Sequence, residues 1–269
     1  MMIGACELCR KVRPLQVSHF LPAGLYRLQR EPGQTNPNPV LISRLISVQT
    51  AYQIKQPLLC AECEQRFSRN GEAYVLPRLQ NRDRFPLLDR LNLALPAYDS
   101  PRLQAFRGDA VGFDTEKVAY FGLSILWRAA VRQWITLKGE TTKVELAAAF
   151  KESLRRYLLG ETPFPIDVVV VATVATDFGS RESCFVPNRI KDNPMIAYGL
   201  MTKGLYFRVL FGDTPDELRK ICCVGGPWKL LFVRDCQDSL LETAEELMRT
   251  SVAVGQLAGS GTSSQSKAS

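Results

Sequence analysis

Two Cys-x-x-Cys pairs constrain this chain more than any other feature. They read Cys6-Glu7-Leu8-Cys9 and Cys60-Ala61-Glu62-Cys63. Two residues between cysteines let one tight turn aim both sulfurs at a single ion, and two such turns complete a tetrahedral four-thiolate site. The 50 residues between Cys9 and Cys60 exceed the usual zinc-ribbon interval and must fold as an insert between two knuckles. A redox reading of either pair wants a βαβ surround, which neither has, and disulfides are disfavoured in a reducing compartment. The spacing predicts one structural zinc held by Cys6, Cys9, Cys60 and Cys63. The remaining cysteines, Cys184, Cys222, Cys223 and Cys236, stand in apolar or strand-like surroundings and are expected to be small buried hydrophobes.

Charge is as uneven as the cysteines. Residues 1–107 hold 15 lysines and arginines against eight acids, whereas residues 108–269 hold 19 of each, so the net +7 belongs to the first part. Thirteen of those 15 cations are arginine, whose planar guanidinium pairs with phosphate through two hydrogen bonds at once. This asymmetry points to an anionic partner, nucleic acid first, with a solvated basic face as the plain alternative. Arg10, Arg13, Arg27, Arg30 and Arg44 crowd around the first knuckle and the histidine segment, where phosphate contacts are expected. The single histidine, His19, limits the chemistry: any Ser-His-Asp or Cys-His arrangement must use it. Neither GxGxxG nor GxxxxGK followed by Ser or Thr occurs, so there is no dinucleotide or P-loop cradle to argue from.

Composition settles the broad class. With 46% hydrophobic and 23% charged residues over 269 positions, the chain can bury a core without disulfides. The longest uncharged stretch in a helical region, Val118 to Trp127, is ten residues, against about 20 for a membrane span. No basic and then apolar leader opens the chain. The expectation is a cytoplasmic protein with no membrane partner.

Between the knuckles lies Leu15-Gln16-Val17-Ser18-His19-Phe20-Leu21-Pro22, and the second is framed as Leu58-Leu59-Cys60-Ala61-Glu62-Cys63-Glu64. Residues 1–75 thereby resemble the HNH endonuclease superfamily, with its zinc-stabilised treble-clef, or ββα-metal, core. More narrowly they are similar to a bacterial HNH-like branch with Ser-His-x-x-Pro and Cys-x-x-Cys-Glu followed by a second Glu, here Glu72. The segment from Phe121 to Arg128 also looks like that branch. The resemblance implies that His19 is a general base activating water against a phosphodiester, with Glu64 as its catalytic partner. It also implies that a hard divalent cation, Mg or Mn, is held by Glu64 and Glu72. Three positions depart from the pattern. Glu64 replaces the closing histidine, Ser18 replaces an acidic or histidine ligand before the base, and the middle asparagine has no match, Gln56 being the nearest amide. The plain alternatives are that His19 is an orienting or packing group, that Glu64 favours a helix start, and that Glu72 pairs with Arg66 or Arg69.

Further along, Arg78 to Pro101 reads as short helices and connectors, and a core helix is expected from Thr115 to Leu137. Thr142-Lys143-Val144-Glu145 reads as a capping box opening a helix with Leu146, Phe150, Leu154 and Leu158 on one face and Gly160 as its stop. These two helices are expected to form an antiparallel pair. Asp167–Ala175, Met195–Met201, Leu205–Phe211 and Trp228–Arg234 read as strands, the middle two as a hairpin. Thr214 and Ser239 read as helix caps. The fold expected is α+β. A small N-terminal treble-clef zinc module (1–75) precedes a connector (76–110). An α+β domain (111–258) of central helices and a mainly antiparallel sheet with a terminal helix follows, and then a disordered tail (259–269). The function expected is a metal-dependent DNA endonuclease, which the resemblance sets in bacterial defence or mobile-element biology. The alternative is a catalytically inactive zinc-binding module that holds nucleic acid, a protein partner or a second copy of itself.

Overall fold

A computed structural model describes residues 2–257 except Pro32, Arg44, Asn193, Pro194, Thr214, Thr250 and Gln256. The expected tail at 259–269, the cap at Thr214 and the phosphate contact at Arg44 therefore lie outside the described residues. The chain is a mixed α+β protein with a large, mostly antiparallel sheet in its C-terminal part.

The N-terminal part runs β1 (Met2–Ala5), β2 (Val12–His19), α1 (Ala23–Leu28), β3 (Val40–Ile42), β4 (Ile46–Gln49) and β5 (Lys55–Cys60). Strands β1, β2 and β5 form one antiparallel sheet in that order. Pairing of β2 with β5 is regular from Leu15 opposite Cys60 to Gln16 opposite Leu59, then slips so that Val17 faces Pro57. Leu58 is the extra residue. The slip falls beside Pro57, which has no N–H for the ladder, and it turns the Leu58 carbonyl to the Glu7 N–H at 3.2 Å. The bulge thus ties the second knuckle's strand to the first knuckle. Without a break β5 enters α2 (Ala61–Phe67), a π-helical turn (Ser68–Glu72) and α3 (Ala73–Val75).

The stretch 76–110 does more than connect. It holds α4 (Pro86–Leu91), β6 (Tyr98–Ser100) and β7 (Leu103–Arg107), and the two strands close one side of the large sheet. Three residues in β6 and five in β7 are too few for alternation to stand out among the prolines of this stretch. Next comes α5 (Thr115–Val131), with 14 of its 17 residues buried, so it is enclosed by the core rather than lying on it. It ends six residues before Leu137. Arg132 turns extended, and Trp134 enters β8 (Trp134–Ile135) with its indole N–H on the Arg128 carbonyl at 2.9 Å. That bond satisfies a helix-end carbonyl that a longer helix would otherwise have bonded itself.

Thr142 does not cap a helix. It belongs to β9 (Thr141–Thr142), paired with β8, and the Val144 N–H is spent on the Ala129 carbonyl of α5 at 2.8 Å. The helix α6 (Ala148–Leu159) starts after Ala147 and stops, as expected, at Gly160 with φ +79°. Its Leu154 and Leu158 are buried. The Tyr120 hydroxyl near the start of α5 meets the Leu158 carbonyl near the end of α6 at 2.6 Å, which makes the two helices antiparallel.

The remainder is β10 (Val168–Ala175), α7 (Phe178–Glu182), β11 (Cys184–Asp192), β12 (Met195–Thr202), β13 (Leu205–Phe211), α8 (Asp216–Lys220), β14 (Leu230–Arg234), α9 (Gln237–Met248) and β15 (Val252–Ala253). The large sheet has the order β11-β12-β13-β10-β14-β7-β6, with only β10 and β14 parallel among its pairs. The hairpin of β12 and β13 is the one expected, turning at Lys203-Gly204. Helix α9 begins two residues before Ser239, because the Asp235 carboxylate takes the Gln237 N–H at 2.8 Å. Among the described residues no helix is long and apolar enough to cross a membrane.

One buried cluster runs from Cys6 and Leu8 through Phe67 and Trp127 to Phe207 and Val233. The N-terminal sheet and the large sheet therefore share a core around α5. At its centre Arg128 of α5 is 2% exposed, pairs with Glu72 at 2.6 Å and stacks over the Phe67 ring at 4.8 Å. Truncating one partner of a buried ion pair leaves the other charge uncompensated, typically about 3–5 kcal/mol. Arg128→Ala is expected to lose stability of that order in urea unfolding, and Glu72→Gln a comparable amount, since it leaves the more deeply buried guanidinium without its counter-charge. A loss below about 1 kcal/mol for Arg128→Ala would contradict this placement.

Candidate functional site

The two knuckles meet. The four sulfur atoms of Cys6, Cys9, Cys60 and Cys63 all lie within 4.8 Å of one another, and Cys9 Sγ and Cys60 Sγ are 3.9 Å apart. A tetrahedron of thiolates at about 2.3 Å from zinc has edges of about 3.8 Å, so the cluster closes on such an ion with sulfur shifts of about an ångström or less. Cys6 lies in the turn after β1, closed by the Arg10 N–H on the Cys6 carbonyl at 2.7 Å. Cys60 occupies the N-cap of α2 and Cys63 its first turn. Backbone amides also point at sulfur: the Cys60 N–H lies 3.3 Å from Cys6 Sγ.

The electrostatics agree with shared negative charge. A hydrogen bond from Cys63 pulls the Cys6 thiol down to about 4 against the opposing effect of burial, and backbone N–H groups near it add to the pull. Cys63 is pushed up by that same hydrogen bond and by burial, and Cys9 chiefly by burial. Without a cation the cluster holds its protons unequally; a divalent ion would let all four sulfurs ionise. The other cysteines differ. Burial pushes Cys184 up to about 12 and Cys236 to about 11, and raises Cys222 and Cys223 as well. Cys222, Cys223 and Cys236 are buried, as the sequence suggested, whereas Cys184 is half-buried.

Two arginines that sequence reasoning missed clamp the first knuckle. Arg155 of α6 donates to the Leu8 carbonyl at 2.7 Å and pairs with Glu152 and Glu161. Arg132 donates to Glu7 at 2.7 Å and to the Pro57 carbonyl at 3.2 Å. Both come from the helical region more than 120 residues away in the chain, and no local motif announces them.

Beyond the cysteines, β2 and α2 meet at the C-terminal end of β2. Ser18 is buried; its hydroxyl donates to Glu64 Oε1 and accepts the Leu59 N–H at 3.2 Å. His19, the next residue, projects to the other side of the strand. Its Nε2 lies 2.9 Å from Gln53 Oε1. A carbonyl oxygen can only accept, so a neutral imidazole in this contact has its proton on Nε2 and its lone pair on Nδ1. The Gln53 segment is itself pinned. The Phe20 N–H meets the Ile54 carbonyl at 2.9 Å, and the Ile54 N–H meets the Tyr26 hydroxyl at 3.3 Å. Burial pushes the Tyr26 phenol up to about 12, so it stays neutral.

The amide that engages His19 is thus Gln53 and not Gln56, which instead donates to the Gln133 carbonyl at 3.2 Å. Glu72 is not brought to this point. It lies two turns beyond Glu64 along the helical run and is held by Arg128, not by Arg66 or Arg69. Among the described residues, the four cysteines are the one group of three or more cysteine, histidine or acidic side chains placed to hold a metal ion. Of the four candidate phosphate-binding arginines among the described residues, two are matched by carboxylates: Arg10 pairs with Glu152, and Arg13 with Glu62 at 2.6 Å. Arg27 is exposed in the last turn of α1, and Arg30, also exposed, donates to Asn38 at 3.1 Å. No family model, no curated protein and no solved structure matches the chain.

Proposed function

We propose that residues 1–75 form a zinc-stabilised treble-clef unit of the HNH kind that hydrolyses phosphodiester bonds in DNA. The observation that carries this reading is the meeting of β2 and α2, which sets Ser18 against Glu64 and leaves the adjacent His19 oriented by Gln53. Cys6, Cys9, Cys60 and Cys63 would hold the zinc, whose part is to lock both turns in place. Glu64 would hold Mg²⁺ or Mn²⁺, which supplies charge neutralisation at the phosphate and the leaving oxygen. His19 Nδ1 takes the proton of the attacking water, and Gln53 keeps the imidazole in the tautomer that leaves Nδ1 open. Arg27 and Arg30 contact flanking phosphates, which makes binding fall steeply as salt rises.

A second reading, a zinc module that binds nucleic acid without cutting it, is favoured by two features. His19 projects from the side of β2 opposite to Ser18 and its partner Glu64. Both acids assigned to the divalent cation already have partners, Ser18 for Glu64 and Arg128 for Glu72. Cleavage measured against cation concentration separates the two. On the hydrolase reading, Glu64→Gln raises the Mg²⁺ or Mn²⁺ needed for half-maximal cleavage about tenfold or more, with zinc content unchanged. Salt-sensitive DNA binding with no cleavage in any divalent metal would instead establish the binding module.

A further inference from the structure

We propose that Lys55 holds a backbone phosphate of DNA beside His19, which rests on the reading of this end of β2 as a phosphodiester site. Strand register brings the two residues together. His19 stands directly opposite Lys55 across β2 and β5, and Val17 stands opposite Pro57 two positions back. Directly opposed residues share a face of the sheet, with Cβ atoms about 4.5–5.5 Å apart. Val17, His19, Lys55 and Pro57 therefore form one surface. Ser18, with Gln56 opposite it and Glu64 as its partner, lies on the other side.

This surface faces solvent. Val17 is 54% exposed, Lys55 is exposed and His19 is half-buried. Of the four residues, Lys55 is the one that carries a permanent charge. Among the described residues it forms no ion pair, whereas Arg10 and Arg13 are already matched by Glu152 and Glu62. An ammonium with no carboxylate to release gives up only water and the freedom of its own stem when it meets a phosphate oxygen.

The backbone that leads into Lys55 is fixed. Gln53, two residues before it, bonds the imidazole at 2.9 Å. The Ile54 carbonyl takes the Phe20 N–H at 2.9 Å, and the Ile54 N–H meets the Tyr26 hydroxyl at 3.3 Å. The Tyr26 ring stands 5.9 Å from the imidazole, centre to centre. One short segment, 53–55, thus both orients the imidazole and carries the cation. An ammonium bonds a phosphate oxygen at about 2.7–2.9 Å, and the four-carbon lysine stem lets it do so alongside the neighbouring ring. Arg27 follows Tyr26 in α1 and Arg30 lies just past the helix end, both exposed. Separated cations around one imidazole suit the repeating phosphates of a nucleic acid better than a single carboxylate.

His19 is the only histidine, so its imidazole proton resonances are unambiguous in the full-length, zinc-loaded protein. A short DNA duplex, titrated without Mg²⁺ or Mn²⁺, is expected to shift them in the wild type and in Lys55→Arg but not in Lys55→Gln. By fluorescence anisotropy Lys55→Gln should bind the duplex at least fivefold more weakly, and its log affinity should fall less steeply with log salt, by about one in slope. Lys220→Gln removes the same charge from an exposed side chain of α8 and should bind as the wild type does. Wild-type signals unmoved by the duplex up to millimolar concentration would overturn the proposal. So would a shift and an affinity that persist in Lys55→Gln. The hydrolase reading fails separately: a duplex that shifts His19 through Lys55 yet is cut in neither Mg²⁺ nor Mn²⁺ supports the phosphate contact and establishes the binding module.

Discussion

Substituting Cys60 by serine is expected to unfold the N-terminal sheet and its knuckles, the largest single effect in this chain. Cys60 ends β5, caps α2 and contributes a sulfur 3.9 Å from Cys9. Loss of one thiolate removes a zinc ligand and with it most of a binding energy that is also folding energy, on the order of 10 kcal/mol for four-ligand sites of this size. The damage should spread, because the sheet shares its core with α5. Elemental analysis should find one zinc per chain in the wild type and a sharp fall in Cys60→Ser. A chelator should strip the wild type slowly through the cavity of about 280 Å³ that opens beside Cys9 and Cys63. A zinc-free wild type with undiminished stability would refute the metal assignment.

His19→Ala is expected to lower cleavage by about 10²–10⁴-fold, the usual worth of a positioned general base, without changing zinc content. The side chain bonds to Gln53 and is not part of the cysteine cluster, so folding should survive its removal. Gln53→Ala should lose less, since the imidazole remains and only its orientation relaxes. Added imidazole should restore part of the His19→Ala rate but none of the loss in Glu64→Gln. Equal rates for wild type and His19→Ala would mean that the base lies elsewhere.

Features of local spacing were legible in the sequence and features of distant contact were not. The knuckles could be read because two residues between cysteines suffice to aim two sulfurs, whatever surrounds them. Gly160 could be read as a helix stop because a left-handed residue there needs no tertiary partner. Thr142 misled because the same Ser/Thr-x-x-Glu spacing fits a strand end. Here the backbone that would have formed the first turn of a helix bonds instead to β8 and α5. Gln53 was hidden because its role depends on a loop held by Tyr26 and Phe20, and Gln56, nearer the second knuckle, looked equally suitable. Glu72 was assigned by likeness to a motif. Its true partner, Arg128, is 56 residues away and buried in another helix, a distance over which spacing carries no information.

The central claim is that the β2–α2 end, braced by the cysteine cluster, cuts DNA. The most direct measurement follows supercoiled plasmid incubated with zinc-loaded wild type and with His19→Ala of equal zinc content, in Mg²⁺ or Mn²⁺ at low salt. The account predicts nicked and then linear plasmid with the wild type, and almost none with His19→Ala or with the divalent metal omitted. Plasmid left intact by the wild type in both metals, or cut equally by His19→Ala, would contradict it.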